Sequence, residues 1–177
     1  MTTAQLEKLE KNVQYLMDRT EIQDKINLYA LGQDHHQPGA ENKNVLEEWS
    51  QIFTEDVEID CTDNARKIFN LKEYTELMRG KDLKGGGLET PFNIWAHLEH
   101  PVTVEINGDT ASSVSLHIHT HETKDRKTNI FAVGYWYDSW IRTGLGWRIK
   151  LRRIKQLYFH SFPLIETAEL MGIEIDQ

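Results

Sequence analysis

The stretch Thr110 to His121, T-A-S-S-V-S-L-H-I-H-T-H, constrains this chain more than any other. Residue type alternates with period two, which predicts a β-strand. Ser113, Ser115, His117, His119 and His121 share one face, and Val114, Leu116 and Ile118 share the other. The apolar face calls for a core against it. The opposite face carries imidazoles, which titrate near neutrality, where a plain solvent face would carry Lys, Glu and Thr. It suits the wall of a pocket.

The rest of the chain is read around that strand. Leu6, Leu9, Val13 and Leu16 recur at helical spacing and predict an amphipathic helix over residues 3 to 18. Thr20-Glu21-Ile22-Gln23 has the form of a capping box opening a second helix, with Ile22, Ile26 and Tyr29 on its buried face. Asp34-His35-His36-Gln37-Pro38-Gly39 is turn chemistry. A third helix is expected over Val45 to Phe53 with Trp49 inward, and a short one over Leu71 to Met78 after an Asn70 cap. Between them the period shifts toward two at Val57 to Cys61. Lys84-Gly85-Gly86-Gly87 reads as a flexible loop long enough to act as a lid. Beyond it come strands at roughly Trp95 to Ile106, Thr110 to His121, Asn129 to Ile141 and Trp147 to Phe159. Asn107-Gly108-Asp109 and the segment Arg142 to Gly146 form hairpin turns. Residues 163 to 171 are expected to form a last helical turn or two. Helices first and an antiparallel meander afterwards imply an α+β fold, with a long aromatic-rich sheet curling around the helices to leave a cone with a mouth.

The 177 residues read as one domain with a core that needs no staples. Residues 1–19 are an N-terminal helix and 160–177 a C-terminal extension. The formal net charge of -8 argues against nucleic acid and gives no reason to expect an anionic membrane surface. Cys61 is the single cysteine, which excludes an internal disulfide framework. The N-terminus lacks the basic and apolar regions of a signal peptide, and no apolar run approaches membrane-spanning length. The expected location is cytoplasmic.

Several residues could carry chemistry. Asp34, at the end of a helix, reads either as a solvated turn residue or as a carboxylate that orients a histidine. His97, opening a strand, reads as a core histidine or as a general base whose basicity a carboxylate would raise. His100, three residues on, points to the other face. His117 and His119 lie deeper than His121, about 6.6 Å apart along the strand. A His-x-His pair on a strand can chelate a metal. As a third ligand Glu122 points to the wrong face, and whether His97 reaches is left open. The site residues are expected to hold no metal, and a metal site stays the competing reading. Tyr29 reads as a core aromatic whose hydroxyl reaches a cavity wall, where it would steady an enolate-like charge. Arg152 and Arg153 are strand neighbours, so one of the two faces inward. No G-x-G-x-x-G, Walker-type or G-x-S-x-G pattern is present, which leaves nucleotide binding and serine hydrolysis without support.

Three patterns in order resemble the SnoaL-like branch of the nuclear transport factor 2-like superfamily, the branch related to scytalone dehydratase and bile-acid 7α-dehydratase. The first is Ile22, Ile26, Tyr29 and Asp34. The second is His97 followed by Val102-Thr103-Val104-Glu105-Ile106-Asn107-Gly108-Asp109-Thr110-Ala111. The third is Gly134-Tyr135-Trp136-Tyr137-Asp138, Arg142 and Gly146-Trp147-Arg148-Ile149. They span roughly residues 20 to 155. The resemblance implies a cystatin-like α+β barrel, a cone-shaped curved sheet wrapped around N-terminal helices. It also implies a cofactor-independent lyase with Tyr29, Asp34 and His97 as catalytic residues. A further acid/base group of these relatives falls on His119, or on His117 with a register slip. His117, Trp49, Tyr137 and Arg153 are the expected substrate-binding residues.

The resulting expectation is a dehydratase that removes water from a carbonyl-containing, largely apolar ring substrate by acid-base chemistry of His97 paired with Asp34, with no cofactor. An isomerase or cyclase using the same pair, and a non-catalytic small-molecule or metal-binding module, are the alternatives. The first helix and the apolar C-terminal segment point to a homo-oligomer, a trimer or a dimer.

Overall fold

A computed structural model describes residues 1–39, 43–81, 83 and 85–164. Helix α1 spans Thr3–Gln33 and opens on a capping box between Thr2 and Gln5. The expected break at Thr20 does not occur. Residues 17 to 19 are all compatible with a helix, and a capping box ends nothing when the residues before it are already helical. Nearly every residue of the first half of α1 is exposed; burial begins at Asp18. Ile22, Ile26 and Tyr29 are fully buried, on the face the spacing assigns.

Short helix α2, Val45–Trp49, crosses α1 at Gly32 and ends before Phe53, which opens strand β1, Phe53–Asp60. A Cβ at Gly32 would lie 2.3 Å from Trp49 Nε1, so the two helices approach this closely only because no side chain intervenes. Strand β2 is Ile68–Phe69, and helix α3, Leu71–Arg79, starts on a capping box between Asn70 and Glu73. The expected strand over 95 to 106 is two: β3, Phe92–Leu98, and β4, Val102–Asn107, separated by a cis His100–Pro101 peptide. The long strands β5, Thr110–Thr123, β6, Thr128–Thr143, and β7, Gly146–Pro163, complete a curved seven-stranded sheet of order β2-β1-β7-β6-β5-β3. Strand β5 carries β4 beside its first half and β3 beside its second. Only β1 runs parallel to its neighbour, β7. The helical turn expected at 163 to 171 falls from residue 165 onward outside the described residues. Pro163 itself ends β7.

The period of β5 is as read, but its two faces are exchanged relative to the core. Ser113, Ser115, His117 and His121 are buried, whereas Val114, Leu116 and Ile118 are half-buried on the outside. The inner face is filled from the neighbouring strands, where Trp140 lies opposite Ala111, Trp136 opposite Ser115, and Asp138 opposite Ser113. Large side chains on β6 thus leave room only for small ones on β5. The serine hydroxyls are satisfied there: Trp140 Nε1 donates to Ser113 Oγ at 2.8 Å, and Ser113 donates to Asp138 at 3.4 Å.

Helix and sheet are joined by polar contacts at the β6–β7 hairpin. Arg142 donates to both oxygens of Asp18 at 2.7 Å, and Trp147 Nε1 donates to Asp18 at 3.1 Å. These hydrogen bonds hold the Asp18 carboxyl down at about 2. Deeper in the core, Arg152 and Asp138 form a two-pronged ion pair with both side chains fully buried. The guanidinium lies 4.1 Å from the Tyr29 ring centre and 5.1 Å from that of Trp136. Burial pulls Arg152 down, and Asp138 outweighs it, so the net shift is upward.

Candidate active site

Between the inner face of the sheet, α3 and the loop after it lies a cavity of about 370 Å³. Its walls are mostly apolar, with Phe69, Leu77, Met78, Leu88, Trp136 and Ile154 among them. Four histidines line one side: His97, His117, His119 and His121. Contrary to the expected order of depth, His121 is buried, against Phe92, and His119 is the half-buried one. Strand register places them together. His97 on β3 lies opposite His119 on β5, and Trp95 opposite His121. The ring centres of His97 and His119 are 5.3 Å apart, those of His97 and His117 are 6.0 Å apart, and those of His117 and His119 are 4.9 Å apart.

Two of these imidazoles are each held by a carboxylate. Asp34, the residue at the C-terminus of α1, bonds His97 Nδ1 through Oδ1 at 2.8 Å and accepts the His97 backbone N–H through Oδ2 at 3.3 Å. One carboxylate therefore orients both the ring and the strand that carries it. Asp34 stands behind His97 and not in the cavity wall, so with Nδ1 engaged, Nε2 is the ring nitrogen left for a ligand. Burial raises the Asp34 carboxyl to about 6. Burial and the neighbouring imidazoles push His97 well below its ordinary value. Both directions describe the same state at neutral pH, a neutral ring donating Nδ1–H to an ionised carboxylate.

The second pair was not anticipated from sequence. Glu99, 1% exposed, bonds His117 Nδ1 at 2.7 Å. Its other neighbours are Ser115 Oγ and Gln33 Nε2, both at 3.5 Å. The available signal was the spacing: Glu99 is two residues from His97 and so shares its strand face. Among the described residues, no carboxylate bonds His119 or His121. Their Nδ1 atoms face each other at 3.2 Å. Burial, with the adjacent histidines, lowers His119 to about 2 and His121 to about 4.

Four expected positions lie elsewhere. Tyr29 is fully buried beneath the cavity, and its hydroxyl reaches only that of Tyr74, at 2.9 Å. Tyr74, on α3, is the tyrosine that lines the cavity. Burial raises both phenols, so both remain protonated donors. Trp49 is a core residue packed against the Tyr29 and Tyr74 rings, because α2 presses it onto Gly32. Tyr137 is 45% exposed on the outer face, since the pleat sends Trp136 inward and its neighbour out. Arg153 faces outward as well, bonded to Asp60 at 2.7 Å with its side chain 59% exposed. Arg152 is the inward arginine, and it is committed to Asp138. The glycine loop is packed onto α3: Gly85 N–H donates to Arg79 O at 2.8 Å and Leu88 N–H to Leu77 O at 3.0 Å. Arg79 lines the cavity and donates to the Gln33 carbonyl at the end of α1. Lys84 lies outside the described residues.

Residues 14–153 match the SnoaL-like domain along its length. The chain belongs to the SnoaL-like family. No functionally curated protein matches this SnoaL-like chain. Solved structures share its fold. An NTF2-like protein with a cystatin-like fold from Novosphingobium aromaticivorans is 22% identical, covering 86% of this chain and 90% of its own, with a TM-score of 0.66. The hexachlorocyclohexane dehydrochlorinase LinA-type3 from Novosphingobium barchaimii is 15% identical over 86% of this chain and 94% of its own, with a TM-score of 0.66. A putative scytalone dehydratase from Novosphingobium aromaticivorans is 14% identical over 89% of this chain and 93% of its own, with a TM-score of 0.63. Two of these structures of the same fold are named as small-molecule enzymes. At these identities the likeness to the solved structures is one of fold. No described helix of this SnoaL-like protein is long and apolar enough to cross a membrane.

Proposed function

We propose that this protein is a cofactor-independent lyase that removes water from a small, mostly apolar ring substrate bearing a carbonyl and a β-hydroxyl. The observation that carries the reading is the Asp34–His97 pair, 2.8 Å apart at the wall of a largely apolar cavity. A neutral imidazole with Nδ1 held by a carboxylate presents Nε2 as a base, and a hydrophobic chamber strengthens every charge interaction inside it. The cavity volume is in the range that accepts such molecules.

In the proposed reaction, His97 Nε2 takes the proton α to the carbonyl, and the C–H electron pair moves into an enolate. Tyr74, hydrogen-bonded in turn to Tyr29, donates to the enolate oxygen. The enolate electrons then re-form the carbonyl and make the new C=C bond as the C–O bond at the β-carbon breaks. The departing hydroxide takes a proton and leaves as water. His117 enters the proposed cycle as the imidazolium, with Nδ1–H on the buried Glu99 carboxylate as counter-ion and Nε2–H to give; His119, with no such carboxylate, is less suited. His97 ends with the proton His117 has lost, and the two rings are close enough for transfer through one water before the next turnover.

The test is a panel of cyclic β-hydroxy ketones assayed by mass spectrometry. The expected product is lighter by one water, and His97→Gln and Asp34→Asn should abolish turnover with the circular dichroism spectrum unchanged. Near-normal turnover in His97→Gln would remove the mechanism. A product of unchanged mass would assign the same residues to an isomerase or cyclase.

A further inference from the structure

The fold brings His97, the third metal ligand whose reach the sequence left open, to the other two. His97 arrives from β3 beside the H-x-H pair of β5, and one ring nitrogen from each of His97, His119 and His121 lies within 4.8 Å of the other two. We propose that these three histidines form a binding site for a borderline transition-metal dication of the Zn²⁺ type, and that the cation competes with the base function of His97.

Three features carry this. The first is the ligand spacing. Metal–nitrogen bonds of ~2.0–2.1 Å in a tetrahedral site place ligand nitrogens about 3.3 Å apart. The Nδ1 atoms of His119 and His121 already stand at 3.2 Å. The His97 nitrogen lies within 4.8 Å of theirs, and small adjustments of the His119 and His121 rings close the remaining edges while Asp34 keeps its hold on His97. The second is the support behind the ligands. Asp34 on His97 Nδ1 makes the carboxylate–histidine arrangement that orients a ligating ring, and it leaves Nε2 for the metal. The third is access. All three rings line the cavity, so the fourth position opens onto a space that holds water or a small ligand, as three-histidine sites with an open position require. The donor set is all imidazole, which favours zinc, copper, nickel or ferrous iron over calcium or magnesium.

His97 Nε2 has one lone pair. If the elimination reading above is right, a bound cation occupies the electrons that would take the α-proton, and the metal inhibits. The binding itself does not depend on that reading.

The experiment is titration of untagged, chelator-treated protein with Co²⁺, read by visible absorption. Stoichiometric binding with the intense bands of a four- or five-coordinate ion, displaced by one equivalent of Zn²⁺, is the expected result. His119→Ala and His121→Ala should each weaken binding more than tenfold. Asp34→Asn should weaken it about 10- to 100-fold, the effect of losing an outer-shell carboxylate. His121→Gln, which preserves more of the packing against Phe92, is the second variant should the alanine fail to fold. A spectrum no stronger than that of the aquo ion, or wild-type affinity in His119→Ala or His121→Gln, would overturn the site. An inactive dehydratase assay would not, since absorption reads binding alone.

Discussion

Removing the Asp138 carboxylate should destabilise the protein by about 3–5 kcal/mol, the cost of leaving one member of a buried ion pair alone. Both side chains of the Asp138–Arg152 pair are fully excluded from solvent, and two 2.7 Å bonds join them. In Asp138→Ala the guanidinium keeps its aromatic surroundings, the rings of Tyr29, Phe53 and Trp136. That cation–π attraction, about 0.5–2 kcal/mol, is present with and without Asp138 and does not replace an anion. For a chain of this length each kcal/mol moves the melting temperature by about 2–4 °C, so the expected fall is about 6–20 °C. The paired replacement Asp138→Leu with Arg152→Met removes both charges from the same apolar surroundings and should restore most of the stability. Urea unfolding of the parent, Asp138→Leu, Arg152→Met and the double variant, followed by circular dichroism, gives the four free energies of the cycle. A single variant within 1 kcal/mol of the parent, or a double variant no more stable than the singles, would refute the view that desolvation decides the energetics of this pair.

Asp18 sets the acid limit of the helix–sheet junction. Its folded value of about 2 lies below the ordinary 3.8, so its contribution is fully present above pH 4 and is lost as pH falls from 4 toward 2. The shift corresponds to about 2 kcal/mol, and Asp18→Asn should flatten the pH dependence of urea midpoints across that window. Gly32→Ala should cost about 1–3 kcal/mol by thermal melting, because its methyl group meets Trp49; an unchanged melting temperature would mean that α2 shifts freely. Burial pushes the Cys61 thiol up to about 12, so thiol reagents should label it in denaturant and scarcely in the native protein at neutral pH. Ile94, Leu98 and Tyr137 are exposed on the outer face of the sheet. That face should mediate self-association, measurable by sedimentation, and Leu98→Glu should lower the mass to that of a monomer.

Local chemistry made a large part of this protein legible in its sequence. The alternation of β5, the buried face of α1 at Ile22, Ile26 and Tyr29, the Asn70 cap and the hairpin turns all depend on residues within one turn or one pleat of each other. Backbone periodicity expresses such information directly. It did not say which face of β5 meets the core, since that depends on the side chains of β6, paired with it across the Thr128–Thr143 strand. Nor did it separate Trp136 from Tyr137, or Arg152 from Arg153, because period two assigns opposite faces without naming the inner one.

The candidate site divides the same way. Asp34, His97, His117 and His119 could be singled out from residue type and resemblance, and the resemblance implied that Asp34 serves His97; the Glu99 partner of His117 and the Tyr74 partner of Tyr29 could not be read. Asp34 meets His97 across 63 residues, Glu99 meets His117 across 18, and Tyr29 meets Tyr74 across 45. The order of helices and strands and the alternation within them were determined by the sequence through neighbouring residues. That Asp34 in fact reaches His97, that Glu99 holds His117, and that His97 comes beside His119 and His121 was decided only when sheet register and the end of α1 brought distant segments together.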